Sequence, residues 1–408
     1  MMFDTDILIT GGGLNGCTLA LALASAGLRI TLIDAQPLTA QQANSFDGRS
    51  YAIALGSQRL LATLGLWRDI AANAQPILQI SASDGRAGTG PSPLFLQFDH
   101  AEIEEGPMGY MVEDRHLRQT LLSAIAATPA ITHLTGTTVT AQTTTASSAS
   151  VTLSTSQTLT ARLLVGSDGR SSGTASRAGI HRTGWSYDQT ALVCAIAHAL
   201  PHNGTAHQFF MPSGPLAILP LTGNRSSIVW TETTAQAAAI QALPDTDYLA
   251  ILRPRFGSFL GEISLAGNRY TYPLDLTLAN SFIAPRLALI GDAAHGFHPI
   301  AGQGLNHGLR DVAALAEIIT DAKRRGEDFG AAACLSRYQQ WRRFDTTTLA
   351  LATDTFNRLF SNDNPLLRAA RDLGLGAVNA LPGLRRRFIR EAAGLTGDLP
   401  RLMKGQPL

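Results

Sequence analysis

The distribution of apolar and polar positions divides the chain into three zones. Near its start, Asp6–Thr10 is a short apolar run, Leu14–Ala26 carries Leu19, Leu23 and Ala26 on one helical side, and Leu28–Ile33 is apolar again. Gly27 stops the helix between the two runs. This predicts a β-α-β unit, whose parallel strands require a covered sheet and a right-handed crossover. Gln142–Ser156 alternates at period two through Val151 and Leu153 among threonines and serines, which predicts a solvated antiparallel hairpin beside that unit. From Trp185 to Tyr272 the signals are short strands at Leu192–Ala199, Gln208–Met211, Leu216–Pro220 and Ser226–Thr231, broken by Pro and Gly. They predict a second, largely antiparallel lobe. A buried-strand run returns at Leu287–Ile290, and beyond Gln303 the pattern is helical almost to the end. The expected class is therefore α/β. One discontinuous domain takes residues 1–75, 101–184 and 285–325, an inserted β-sheet domain takes 76–100 and 185–284, and a helical region takes 326–408.

Composition narrows what such a chain does. With 32 basic against 31 acidic residues, a net charge of +1, no global field recruits nucleic acid. Charged residues at 15% and hydrophobic ones at 45% suit a well-packed globule or one that handles a greasy ligand. Cys17, Cys194 and Cys334 are odd in number and far apart, without the spacing of a zinc site or a disulfide framework, so no metal is expected. Glycines interrupt the apolar stretch Ile7–Leu28, and no window approaches the ~20 apolar residues of a spanning helix. The expectation is a cytoplasmic protein, any membrane contact being peripheral, at the inner face.

Gly11-Gly12-Gly13-Leu14-Asn15-Gly16 sets glycine at the first, third and sixth positions of a dinucleotide fingerprint, between strand and helix. Gly11 permits the tight turn, Gly13 admits a diphosphate, and Gly16 lets the helix pack close to the sheet. The helix N-terminus offers N–H groups and the positive end of its dipole, and Asp34 ends the second strand where a carboxylate meets an adenosine ribose. This predicts a Rossmann-like domain holding NAD or FAD. A second strand-to-helix glycine turn follows Leu287–Ile290: Gly291-Asp292-Ala293-Ala294-His295, then Pro299-Ile300-Ala301-Gly302-Gln303-Gly304-Leu305-Asn306. A nicotinamide cofactor needs only the first turn, whereas an extended FAD needs separate anchorage for its ribityl chain and ring. Asp292 is suited to a ribityl hydroxyl, and the backbone from Gly302 through Gln303, Gly304 and Leu305 to Asn306 to the flavin's N1/O2 edge.

A third turn, Leu163–Ser172, contains Asp168-Gly169-Arg170. The three motifs, in this order and spacing, resemble the class A flavoprotein aromatic hydroxylases, with the para-hydroxybenzoate hydroxylase fold, along nearly the whole chain. Within that group Asp47-Gly48-Arg49 with Ala52–Leu55, and His298–Asn306 with Arg310-Asp311-Val312, look like the ubiquinone-biosynthesis FAD-dependent hydroxylase family. Gly214–Pro220 and Ser227–Trp230 look closest to its 2-polyprenyl-6-methoxyphenol hydroxylase branch.

The resemblance implies that FAD is the cofactor. Gly11, Gly13, Leu14, Asn15 and Gly16 would hold the diphosphate, Asp34 the ribose, Arg49 the nucleotide side, and Gly291 and Asp292 the ribityl chain, with Asp168 in the middle motif and Pro299 and Gly302–Asn306 against the ring. It implies a C4a-hydroperoxide that transfers one oxygen from O₂ to a polyprenyl phenol, with NAD(P)H or a separate donor as reductant. The alternatives are attack at another ring position of the same pathway or a flavin-binding scaffold of a biosynthetic complex. The wider class places an arginine seven residues after the middle aspartate, whereas here Ala175 stands there and Arg177 is out of register. His298 and Pro299 are the catalytic candidates, and His295 a further proton carrier. Phe209, Met211, Trp230 and Tyr272 are candidate substrate walls, joined by Phe210 and Tyr270. Leu384-Arg385-Arg386-Arg387-Phe388-Ile389-Arg390 suits either a solvated helix face or an anionic bilayer surface. Partners would be the polyprenyl phenol and other ubiquinone-biosynthesis proteins, with homo-oligomerisation left open.

Overall fold

A computed structural model describes residues 3–43, 45–88, 90–298, 302–361, 374, 376 and 378–408. Its first sheet runs Ile283–Ala284, Leu287–Leu289, Leu163–Gly166, Ile7–Thr10, Ile30–Ile33 and Ile131–Leu134. All neighbours are parallel except the first pair, and Ile7 sits beside both Ile30 and Leu163. These strands read as unbroken apolar runs because the sheet is covered on both faces. The helix Leu14–Ser25 and the long helix Gln303–Arg324 bury leucines, alanines and isoleucines in the same core as those strands. The Thr/Ser-rich segment gives three strands, Val139–Thr144, Ala149–Leu153 and Thr158–Ala161, one more than the expected hairpin. Val151 and Leu153 are buried in the main core, so this small sheet packs one face inward instead of standing in solvent.

The large sheet follows the order His295–Gly296, Tyr270–Ala279, Arg182–His198, Arg225–Thr233, Gly214–Leu221, Thr205–Met211, Gln79–Arg86 and Gly90–Asp99. It is antiparallel except where Thr205–Met211 runs parallel to Gln79–Arg86. Two expectations change here. The strand expected at Leu192–Ala199 is the end of a strand that begins at Arg182, whose first half is polar and therefore fell outside the apolar run. Two helices, Thr234–Gln241 and Asp245–Phe256, interrupt what read as strands only; the Thr233 hydroxyl caps the first by accepting from the Gln236 amide.

These helices decide which face of the large sheet becomes core. Leu192, Cys194, Met211, Ile218 and Trp230 meet Tyr248, Leu252 and Phe256 there. Strand alternation sends Val193, Phe210, Ala217 and Val229 to the other face. A three-stranded sheet of Ser50–Ala54, Gly109–Glu113 and Ala74–Ile77, together with the helices Ala332–Phe360 and Pro382–Ala392, completes the surroundings of the site. Among the described residues no helix is long and apolar enough to cross a membrane, and the three cysteines are buried thiols.

Candidate active site

The first glycine turn is a close junction of two loops. Gly11 has φ +96°, and a Cβ there would lie 2.2 Å from the Ser167 carbonyl oxygen, so the turn rests on the middle motif. A Cβ on Gly16 would stand 1.9 Å from the Gly11 oxygen, whereas one on Gly13 would meet nothing within 4 Å. The helix Leu14–Ser25 starts without a side-chain cap, leaving its amides for an outside acceptor. Asp34 accepts from the Gly12 amide through Oδ2 and from the Gln36 amide through Oδ1, each at 2.6 Å. Each oxygen keeps a lone pair for a hydroxyl. Arg49 pairs with Asp47 at 2.7 Å and Asp114 at 3.3 Å.

Asp168 is spent on its own loop: it accepts from the Thr174 amide and hydroxyl, both at 2.9 Å, and from the Ser172 hydroxyl. Ala175 is buried where the wider class places an arginine, and Arg177 turns away to Gln142 at 3.1 Å. The loop is tied instead to the third motif. Arg170 pairs with Asp275 at 2.6 Å and Asp292 at 3.3 Å, while Arg182 donates to the carbonyls of Arg170, Asp292 and Ala293. Nothing in the sequence marked Arg182, because its work lies in carbonyls far along the chain.

The Gly291 amide donates to Asp311 at 2.9 Å, and Asp311 also accepts from His295 at 2.6 Å and from Arg342 at 2.7 Å. Both Asp311 and Arg342 are wholly buried. Asn306 fastens the start of the long helix to the strand Ser50–Ala54, accepting from the Ala54 amide and donating to the Ala52 carbonyl, both at 2.8 Å. Gly302 holds the helix N-cap at φ +62°, and an added Cβ on Gly304 would meet open space.

One cavity of about 1350 Å³ joins these parts. Gly13, Leu14, Asn15, Asp292 and Gly302–His307 line one region; Phe210, Ala217 and Val229 of the large sheet and Leu349, Phe356 and Phe360 of the helix Ala332–Phe360 line another. The open space over Gly13 and Gly304, two uncapped helix starts, and the buried Asn15 Oδ1, which has no partner among the described residues, fit the diphosphate and polar ring edge of FAD.

The expected substrate walls divide differently. Phe209, Met211 and Trp230 are buried in the core beneath the helices of the large sheet, because alternation turns them from the cavity that Phe210 faces. Tyr272 is exposed and stacks on Tyr270 at 6.5 Å, outside the cavity lining. His298 is buried edge-on to Tyr187 at 5.3 Å, with neither ring nitrogen hydrogen-bonded among the described residues. Burial, reinforced by Arg170, pushes it down to about 4, so it is neutral at pH 7. It does not line the cavity, and Pro299 lies outside the described residues. No cluster of three metal-ligating side chains occurs among the described residues.

The chain is similar to known proteins along nearly its whole length. The family described as FAD binding domain matches residues 4–345. Ubiquinone hydroxylase UbiL of Rhodospirillum rubrum is 48% identical over 406 residues, covering 99% of this chain and 93% of that protein. The 3-demethoxyubiquinol 3-hydroxylase of Escherichia coli is 34% identical, covering 96% and 99%. The p-nitrophenol 4-monooxygenase PnpA of Pseudomonas putida DLL-E4 superposes with a TM-score of 0.80 at 19% identity, covering 97% and 99%, and shows that the fold is shared. By identity along nearly its whole length, the chain belongs to the ubiquinone-hydroxylase family of FAD-dependent monooxygenases.

Proposed function

We propose that this chain hydroxylates the ring of a polyprenyl phenol in ubiquinone biosynthesis, 2-polyprenyl-6-methoxyphenol being the substrate favoured by the segments Gly214–Pro220 and Ser227–Trp230. The observation that carries the reading is one continuous cavity, which has helix N-termini and an acidic residue at one end and an aromatic and aliphatic chamber at the other. The first sheet and its helices hold the cofactor and the large sheet holds the substrate. FAD bound there supplies the activation of O₂, after reduction by NAD(P)H or another donor, from which one oxygen enters the ring.

The chain's own residues do the positioning. The amides at Gly13–Asn15 face a diphosphate, Asp34 a ribose, Asp292 a ribityl hydroxyl, and the amides of Gly302–Asn306 the ring edge that gains negative charge. Phe210, Leu349 and Phe360 give the reacting end an apolar lining that disfavours water. His298, pushed down to about 4 by burial and set behind the cavity lining against Tyr187, is neutral at pH 7 and is given no proton-transfer role. Mass spectrometry of the quinone precursor that accumulates without this protein tests the reading. A prenylated methoxyphenol lacking one ring oxygen supports it, a precursor lacking a different oxygen moves the position of attack, and an unchanged quinone profile removes it.

The tail of such a substrate resides in a membrane. Phe356, Leu359 and Phe388 line the cavity and are also exposed, which puts the helices Ala332–Phe360 and Pro382–Ala392 at its rim. Leu381 and Leu384 are exposed beside Phe388, with the exposed Arg386 and Arg387, which have no carboxylate partner among the described residues. We assign this rim a peripheral contact with an anionic bilayer. Wild type should float with anionic liposomes and a Leu384→Ser, Phe388→Ser variant should not; equal flotation removes the contact.

A further inference from the structure

The chamber wall contains a polar group with no structural use. In the strand Thr205–Met211, Phe209 and Met211 go to the core, while Ala206, Gln208 and Phe210 line the cavity. Gln208 stands in register between Ala82 on one neighbouring strand and Ala217 on the other. Two methyl groups at the cross-strand distance leave the amide uncovered. Val229 is the partner of Ala217 one strand further, so the surroundings stay apolar. His207, the adjacent polar residue, also touches the cavity but packs its ring against Phe259 at 4.5 Å. The Gln208 amide forms no hydrogen bond with any described residue, although the side chain is partly buried. A primary amide that reaches the cavity without a protein partner is free to bond a ligand there.

We propose that Gln208 is the specificity-determining anchor for the substrate's ring oxygens. A carboxamide sets an acceptor beside a donor, the complement of a hydroxyl next to an ether oxygen. Its Oε1 accepts the phenol O–H while Nε2 donates to an adjacent alkoxy oxygen. Phe210, two residues along the same face, packs on Phe360 with centroids 4.1 Å apart, and Phe360 stacks on Phe356 at 5.0 Å. The ring is thereby held at its oxygen-bearing edge by Gln208 and along its face by these aromatic side chains. Fixing that edge fixes which carbon is presented for oxygen transfer. A site built to bond an oxygen rejects a ring that lacks it more strongly than an apolar slot rejects a change in size.

The inference rests on the phenol reading, and the test separates the two. FAD-loaded wild type and Gln208→Leu are titrated with 2-geranyl-6-methoxyphenol and with 3-geranylanisole, which lacks only the hydroxyl, following tryptophan fluorescence. Wild type should favour the phenol by roughly 10- to 100-fold, the scale of one buried amide left unpaired. Gln208→Leu should bind the two probes within about 3-fold of each other, the residual scale of context effects on a single contact. The ratio within each protein is the readout, so a general loss of folded material cannot imitate it. A wild-type ratio retained in Gln208→Leu overturns the inference, as does equal binding of both probes to wild type, which leaves the phenol reading standing. Failure of wild type to bind either probe removes the phenol reading and the Gln208 role together.

Discussion

Gly13→Ala separates the needs of the fold from the needs of the cofactor. Gly13 has φ −69° and ψ −176°, a conformation open to any residue, and an added Cβ meets no protein atom within 4 Å. The apoprotein should therefore lose only about 1 kcal/mol, the cost of alanine at a helix N-cap. In the proposed placement, the empty space is where the diphosphate comes closest to the helix amides. A methyl group there displaces the phosphate from one charge-assisted hydrogen bond, worth about 1.5–3 kcal/mol, so FAD affinity should fall roughly 10- to 150-fold. The neighbouring glycines cannot serve: a Cβ on Gly16 would lie 1.9 Å from the Gly11 oxygen, and the turn itself would break. The assay is an FAD titration of apoprotein followed by quenching of flavin fluorescence, with urea unfolding of the same preparation in parallel. Full FAD affinity in a normally folded Gly13→Ala protein would refute the placement of the diphosphate.

The buried ion network gives two further expectations. Arg342 bonds Asp311 at 2.7 Å, Asp345 at 2.8 Å and the His307 ring at 2.8 Å, so Arg342→Met leaves the buried Asp311 carboxylate with only His295 and the Gly291 amide and should cost about 3 kcal/mol in urea unfolding; a loss below about 1 kcal/mol would show the network to be dispensable. Burial works to raise the Asp311 carboxyl, but the neighbouring charges of His295 and Arg342 win and hold it well below the ordinary carboxylate value. A depressed value contributes stability that is complete above the unfolded value of about 4 and is lost as pH falls below it toward the folded value. Urea midpoints from pH 6 down to 3 should fall more steeply for wild type than for Asp311→Asn, and parallel curves would contradict the assignment.

What the sequence disclosed and what it concealed follow from the range of the interactions involved. The turn at Gly11–Gly16 is legible because its constraints act within six residues: a strand, a tight turn and a helix that starts where the glycines end. Asp292 was visible for the same reason, beside its own strand and turn. Which aromatic residues face the chamber was hidden. Phe209 and Phe210 are adjacent and chemically identical, and the helices Thr234–Gln241 and Asp245–Phe256 alone make the first core and the second cavity wall. Those helices escaped notice because one is built from alanines and glutamines and the other contains Pro254. Arg182 and Arg342 were equally hidden, since each acts on groups brought near only by the complete fold. Gln208 sat at the edge of an expected strand, its significance invisible until Ala82 and Ala217 were seen on either side.

The central claim, oxygen transfer to a phenol ring inside one FAD-lined cavity, is tested most directly by isotope. Purified FAD-loaded protein, a chemical or enzymatic reductant and 2-geranyl-6-methoxyphenol are incubated under ¹⁸O₂, and the product is weighed by mass spectrometry. The product should carry a single ¹⁸O on the ring. Consumption of ¹⁸O₂ to hydrogen peroxide with the phenol returned unchanged, or a hydroxylated product whose oxygen comes from water, would contradict it.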